Sequence, residues 1–176
     1  MFSDPVKNIE QCGIQAGMEI ADLGSGSGGY TIATAKALVS TGKVFAIDIN
    51  KDLLNKVKND GIKQGLYNIE VIWGDIDKPN GSKLRDFSVD MALVCNILFQ
   101  VENKDKFIEE VKRILKKDGK VLLIDWDMDA SSPLRNKKEG ISKERAIELF
   151  AKYGFIKERD IDAGEHHYGM ILRSNK

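Results

Sequence analysis

The sequence predicts an α/β fold: a mostly parallel sheet covered by helices on both faces and closed by an antiparallel hairpin. Three observations carry this expectation. Short apolar runs alternate with amphipathic stretches along the chain, the pattern of strands joined by crossover helices. The first apolar run enters a glycine-rich turn, Asp22-Leu23-Gly24-Ser25-Gly26-Ser27-Gly28-Gly29, and a helical stretch follows. The last two apolar runs are separated by Gly164 with no helical stretch between them, which reads as a hairpin.

Totals narrow the class. A chain of 176 residues fits a single domain, residues 1–176. At that size roughly 70% of the unfolded surface can be buried, so no disulfide or metal staple is needed. The 27 basic and 27 acidic side chains cancel, which gives no support to steering toward nucleic acid. Cys12 and Cys95 stand far apart in sequence and match no metal-ligand or disulfide spacing, as expected in a reducing compartment. Met1-Phe2-Ser3-Asp4-Pro5 lacks the features of a signal peptide. No apolar run approaches the roughly 20 residues of a membrane span. A cytoplasmic protein without membrane contact and without a metal site is expected.

The elements follow in order. Asp4 and Pro5 suit the start of a short helix through Val6, Ile9 and Cys12, stopped at Gly13. Residues 19–23 read as the first strand. Residues 30–39 read as a helix with Ile32, Ala35, Leu38 and Val39 on one face. The second strand spans 43–49, and a helix over 51–64 follows, buried through Leu53, Leu54, Val57 and Ile62. The third strand is 69–73. Pro79, Asn80 and Gly81 mark a turn within 77–87. Residues 89–95 are apolar enough for a strand buried on both faces. Residues 104–116 form the clearest helix, with Phe107, Ile108, Val111, Ile114 and Leu115 at helical spacing and lysines crowding its end. Asp118 and Gly119 turn the chain into a fifth strand, 121–124. Residues 129–140 read as a polar loop, in which Arg135, Lys137 and Lys138 form a small solvated basic face. Ser142 caps a helix reaching Tyr153, with Ile147 and Phe150 buried and Gly154 as its stop. Two strands, 155–161 and 167–173, close the chain. The tally is strand–helix five times and then a hairpin, seven strands in all.

A strand that runs into a glycine turn and then a helix can hold the polar end of a ligand. Glycine permits close approach and positive φ, and the helix start offers free N–H groups. Two spacings overlap here. Gly24, Gly26 and Gly29 form G-x-G-x-x-G, the dinucleotide fingerprint, whereas Asp22 with Gly24, Gly26 and Gly28 forms D-x-G-x-G-x-G. Asp48 ends the second strand, about 20 residues past the loop, where a carboxylate can accept both ribose hydroxyls of a nucleotide. Asp75 ends the third strand, where a carboxylate can accept the exocyclic amine of adenine.

These segments resemble the motifs of class I S-adenosylmethionine (SAM)-dependent methyltransferases. Residues 21–28 resemble their first motif, Val44-Phe45-Ala46-Ile47-Asp48 the second-strand motif, and Val71-Ile72-Trp73-Gly74-Asp75 the third. Val89-Asp90-Met91-Ala92-Leu93-Val94-Cys95-Asn96 resembles the fourth, and residues 115–121 the turn into the fifth strand. Within that class the chain is most similar to the ubiquinone/menaquinone-biosynthesis-like methyltransferases, whose substrates are mixed. The resemblance implies a Rossmann-like three-layer sandwich with strand order 3-2-1-4-5-7-6 and strand 7 antiparallel. It implies that Asp22, Gly24, Ser25, Gly26 and Gly28 hold the methionine part of SAM and that Asp48 holds the ribose. Ile49 and Ile76 would sandwich the adenine, and Asp75 would take its amine. Asn96 would face the methyl donor, and Tyr30 would close over the methionine end.

Methyl transfer from a sulfonium is an in-line displacement that mainly requires alignment of nucleophile and methyl carbon. A general base is needed only for an acceptor that arrives protonated. Asn96, Gln100, Asp125 and Asp127 lie at the carboxyl ends of the fourth and fifth strands, where ligands of open α/β sheets bind. Asn96 and Asp125 are the expected catalytic residues. His166 and His167, in the final hairpin, read as structural or exposed. No acid-Pro-Pro-aromatic motif follows Asn96, which disfavours N-methylation of adenine. Residues 74–79 also resemble fibrillarin-like RNA methyltransferases, but Asp125 and Trp126 stand where those carry a catalytic lysine. The expected activity is methyl transfer to a small molecule or a protein side chain. The alternatives are a non-catalytic SAM-binding partner subunit and an NAD(P)-dependent oxidoreductase. With little sequence beyond the core fold, either a large acceptor docks on an open face or a second copy in a homodimer closes the site.

Overall fold

The computed structural model describes residues 3–39, 41–127 and 140–175. In chain order the elements are α1 (Pro5–Glu10), β1 (Glu19–Leu23), α2 (Gly29–Ala37), β2 (Lys43–Asp48), α3 (Lys51–Lys63) and β3 (Ile69–Trp73), then β4 (Val89–Cys95), α4 (Lys104–Ile114), β5 (Leu115–Trp126), α5 (Lys143–Ala151), β6 (Phe155–Ile161) and β7 (His167–Ser174). The strands form one sheet in the order β3-β2-β1-β4-β5-β7-β6. Pairs among β1 to β5 are parallel, and β7 runs antiparallel to both β5 and β6. This is the expected Rossmann-like architecture. The chain winds outward from β1 to β3 and then returns to β4 on the other side of β1. That reversal opens a crevice beyond the carboxyl ends of β1 and β4.

Period-two alternation sorts the buried side chains into two layers. Leu23, Ala92, Val94, Val121, Leu123 and Met170 face α4 and α5, where Phe107, Ile108, Val111, Ile114 and Phe150 meet them. Ile20, Val44, Met91, Leu93, Leu122 and Ile171 face the other way, against Ile9, Ala33, Ala35 and Leu38 around α1 and α2. Each fully buried side chain on α4 contributes roughly 1.5–3 kcal/mol, so that helix is held by its apolar stripe. Helix starts are capped as their residue types suggest: Asp4, Asn50, Asn103 and Ser142 each accept first-turn amides. No helix among the described residues is long and apolar enough to cross a membrane.

Several expectations are corrected. Among the described residues there are four strand–helix units, because residues 74–88 link β3 to β4 without a helix. Pro79 and Gly81 break helical continuity, and the link is instead tied to α4. The Ser82 hydroxyl donates to Glu110 Oε1 at 2.6 Å, and Arg113 donates to Glu110, Asp86 and the Leu84 carbonyl. Burial pushes the Glu110 carboxyl up, but bonds from Arg113 and Ser82 outweigh it and hold the group below its usual value. Val39 does not join a buried face: α2 ends before it, and Val39 takes φ +48° and is 73% exposed. Ile62 is also exposed, because Gly61 is the residue of α3 set against Ile69. In α5 the buried residues are Ala146, Leu149 and Phe150, and Ile147 is half-buried. β5 is longer than expected: Leu115 already pairs with Val89, and the Asp118-Gly119 turn forms an irregularity within the strand. Arg135, Lys137 and Lys138 lie outside the described residues.

Candidate functional site

The glycine loop leaves β1 at the crevice. The Gly24 and Ser25 amides both donate to the Ile47 carbonyl, at 2.8 and 3.0 Å, which fastens the loop to β2. Gly24, Gly26 and Gly28 adopt φ of +73°, +52° and +86°, whereas Gly29 starts α2 with no such φ. The backbone thus uses the 24-26-28 spacing, and Gly29 is an ordinary helix residue packed on Pro5. A Cβ on Gly24 would stand 2.7 Å from Ile97 Cγ1, and one on Gly28 2.5 Å from Val57 Cγ2. Gly28 is the N-cap of α2 and brings no side-chain acceptor to its first amides, which therefore suit an anionic ligand group.

Asp48 reaches the loop from β2. Its Oδ2 accepts from the Gly26 amide and its Oδ1 from the Asn50 amide, both at 2.8 Å. A carboxylate so held keeps lone pairs for further donors. Asp75, half-buried beyond β3, accepts from the Asp77 amide at 3.1 Å and lies 3.6 Å from Lys78 Nζ.

Two adjoining cavities run along this edge. One, of about 200 Å³, is lined by Asp48, Ile49, Asp75 and Ile76 among others. The next, of about 510 Å³, is lined by Ser25, Gly26, Tyr30, Asp48, Ile49 and Asn96 among others. Gly24, Asp48, Ile49, Ile97 and Gln100 border both, so the two form one cleft. The structure thus brings together Gly24, Ser25, Gly26, Tyr30, Asp48, Ile49, Asp75, Ile76 and Asn96. Ser25 Oγ and Asn96 Oδ1 are buried without a hydrogen-bond partner. A hydroxyl and an amide oxygen left unsatisfied in one cavity match the carboxylate and ammonium of an amino-acid ligand. Asn96 itself sits at φ +57° just past β4.

Three expected residues stand elsewhere. Gly28 lies behind the loop against α3. Asp22 is buried beneath the loop, where its Oδ2 accepts from Thr31 Oγ1 at 2.5 Å. Burial, reinforced by nearby Asp48, raises its pKa to about 6. Asp22 braces the loop onto α2. Asp125 is likewise buried: its Oδ2 accepts from the Phe99 amide at 3.2 Å and its Oδ1 from the Trp126 amide at 2.8 Å. Its pKa is raised to about 6 by burial, against those amide bonds. It pins the segment after β4 from below and does not line the cleft. Asp127 donates its amide to the His166 carbonyl at 2.7 Å, and Trp126 packs on His167 with ring centroids 4.2 Å apart.

Tyr30 has a second task. Its hydroxyl meets Ser3 Oγ at 2.9 Å and Asn8 Nδ2 at 2.8 Å, which ties the chain's start and α1 over the loop. Ser3, Pro5, Leu53 and Ile97 also line the cleft. No motif marks them, because they arrive from three separate places in the chain.

A family model described as a methyltransferase domain matches residues 14–167. The ubiquinone/menaquinone biosynthesis C-methyltransferase UbiE of Hydrogenovibrio crunogenus is 31% identical over 122 residues, or 67% of this chain and 46% of that protein. The UbiE of Vibrio campbellii is 25% identical over 159 residues, or 88% of this chain and 58% of that protein. The chain therefore spans about half the length of these curated relatives. A SAM-dependent methyltransferase from Aquifex aeolicus superposes with a TM-score of 0.85 at 27% identity, covering 98% of this chain and 90% of that one. The glycine spacing, the sheet order and these matches agree: the chain belongs to the methyltransferase-domain family, within the class I SAM-dependent methyltransferases.

Proposed function

We propose that the chain transfers the methyl group of SAM to a small-molecule acceptor without phosphate or cationic groups, presented at the Asn96 end of the cleft. The lining of that end carries the reading. Among the described residues there, including Ser3, Tyr30, Leu53, Cys95, Ile97 and Gln100, Asp48 alone belongs to the Asp, Glu, Lys, Arg and His class. A phosphorylated acceptor would find no cation there, and a cationic peptide would meet one acid, Asp48, which the ribose of SAM would occupy.

Bound SAM supplies an electrophilic methyl carbon on a sulfonium. The chain's part is to hold and orient. Asp48 would take the ribose hydroxyls, Ile49 and Ile76 would flank the base, and Asp75 would accept its amine. Ser25 Oγ and the first amides of α2 would bind the methionine carboxylate, and Asn96 Oδ1 its ammonium. Among the described residues, no strong base faces this end. Burial pushes the Cys95 thiol and the Tyr30 hydroxyl up, and Asp125 stands behind the segment after β4. The acceptor must therefore be nucleophilic on arrival, as an ionised phenol or enol is. The naming of the UbiE relatives as C-methyltransferases of ubiquinone and menaquinone biosynthesis supports that acceptor class.

Calorimetry with SAM, S-adenosylhomocysteine and NAD tests the cofactor, and NAD binding alone would sink the proposal. Turnover of methyl-labelled SAM against phenolic and enolic small molecules, protein and RNA tests the acceptor. Label in the small molecules is expected. Label confined to protein or RNA would overturn the acceptor class, and SAM binding without any transfer would favour the partner-subunit reading.

A further inference from the structure

We propose that Trp73 is a positioning residue for the adenine side of the cleft, acting through the backbone of Ile49. The inference rests on the cleft being the SAM site argued above. Trp73 is the last residue of β3, the edge strand, and lies opposite Asp48 in register. It is 56% exposed and belongs to none of the buried clusters, so core packing does not explain a large indole there.

Its contacts do. Nε1 donates to the Ile49 carbonyl at 2.9 Å. Lys51 Nζ lies 4.6 Å from the ring centroid on one face, a cation–π distance. The indole is thereby fastened at both ends of the short link from β2 to α3. That link follows directly on the ribose carboxylate, Asp48, at the end of β2 and carries Ile49, which with Asp48 borders both cavities.

Ile49 is 62% exposed and has no packing of its own to hold it against a base. An exposed side chain on a free link must be ordered when the ligand binds, which subtracts from affinity. With its carbonyl bonded from the neighbouring strand, the link is ordered beforehand. Asp48 is held from the glycine loop by the Gly26 amide, and Ile49 from the edge strand by Trp73. The two halves of the nucleoside subsite thus have separate supports. The expected ligand dependence is specific: any ligand bearing the adenosyl group benefits, whatever stands at its sulfur end.

Trp73→Phe keeps a ring beneath Lys51 and removes the indole N–H. Loss of one neutral hydrogen bond should weaken S-adenosylhomocysteine and 5′-methylthioadenosine by the same factor, about three- to tenfold. The KM for SAM should rise by that factor while kcat at saturation stays unchanged. The unfolding midpoint of the free protein should fall only slightly, because the bond is exposed and water can replace it. Ile49→Ala should cost less affinity in the Trp73→Phe background than in the wild type, because the two act as one unit. Unchanged affinity of Trp73→Phe for both ligands overturns the proposal and leaves the SAM site standing. Additive losses for the two substitutions overturn the route through Ile49. Failure of the wild type to bind either ligand overturns the site and this inference together.

Discussion

Replacing Asp48 by alanine tests the cleft most directly. The carboxylate accepts two backbone amides, from Gly26 and Asn50, each at 2.8 Å. It therefore ties the glycine loop to the start of α3 and also offers its remaining lone pairs to the cleft. Alanine removes both functions. The two amides lie near the surface, so water can replace the lost acceptor, and the cost to folding should be about 1–2 kcal/mol. For a chain of this length that lowers Tm by roughly 2–8 °C. Ligand affinity should suffer more, since hydrogen bonds to a charged acceptor contribute about 1–3 kcal/mol. That range corresponds to a roughly 5- to 150-fold rise in Kd. Asp48→Asn should fall between, because an amide keeps one acceptor oxygen but turns a donor toward one of the two N–H groups. Calorimetric titration with S-adenosylhomocysteine, paired with thermal unfolding of the same sample, reads both quantities. If Asp48→Ala remains folded and binds within twofold of the wild type, the assignment of the ribose acceptor is wrong.

Three further outcomes are expected. Gly28→Ala forces a left-handed φ on a residue with a Cβ, costing about 1–2 kcal/mol, and drives that Cβ to 2.5 Å from Val57 Cγ2. Urea midpoints of Gly28→Ala, Val57→Ala and the double variant should show positive coupling, and strict additivity would contradict the contact. Asp22 has a folded pKa of about 6 against a reference of 3.8, chiefly from burial. The folded state thus holds the proton more tightly, so its contribution is fully present below about pH 4 and is lost as pH rises through 6. That difference corresponds to about 3 kcal/mol. Asp22→Asn, which keeps an acceptor for Thr31, should flatten stability between pH 4 and 6, leaving the part due to Asp125; an unaltered slope in urea unfolding would refute this. Asp125→Ala strips acceptors from the partly buried Phe99 and Trp126 amides and should destabilise the fold by about 1–3 kcal/mol. Its residual turnover should keep the wild-type pH profile, whereas loss of a limb near pH 6 would make Asp125 a base after all.

Element types, the hairpin, the glycine loop and the strand-end acids Asp48 and Asp75 were determined by the sequence alone, because apolar period, turn residues and caps act over a few neighbours. Burial at helix edges was not. Val39 and Ile62 continue their helices' apolar pattern, yet the chain turns before one and Gly61 takes the packing position of the other. The choice between the 24-26-28 and 24-26-29 spacings also waited on the backbone, since only φ distinguishes a turn glycine from a helical one. The cleft's remaining lining depends on topology. Ser3, Leu53 and Ile97 share it because the return to β4 sets that strand beside β1. Asp22 and Asp125 mark the sharpest limit. Both end apolar strands covered by helices on each side, so no alternation of polar and apolar residues reveals which way they point. Tertiary packing decided it, turning Asp22 onto Thr31 of α2 and Asp125 under the Phe99 amide, while Asp48, at the end of the neighbouring strand, was left facing the cleft.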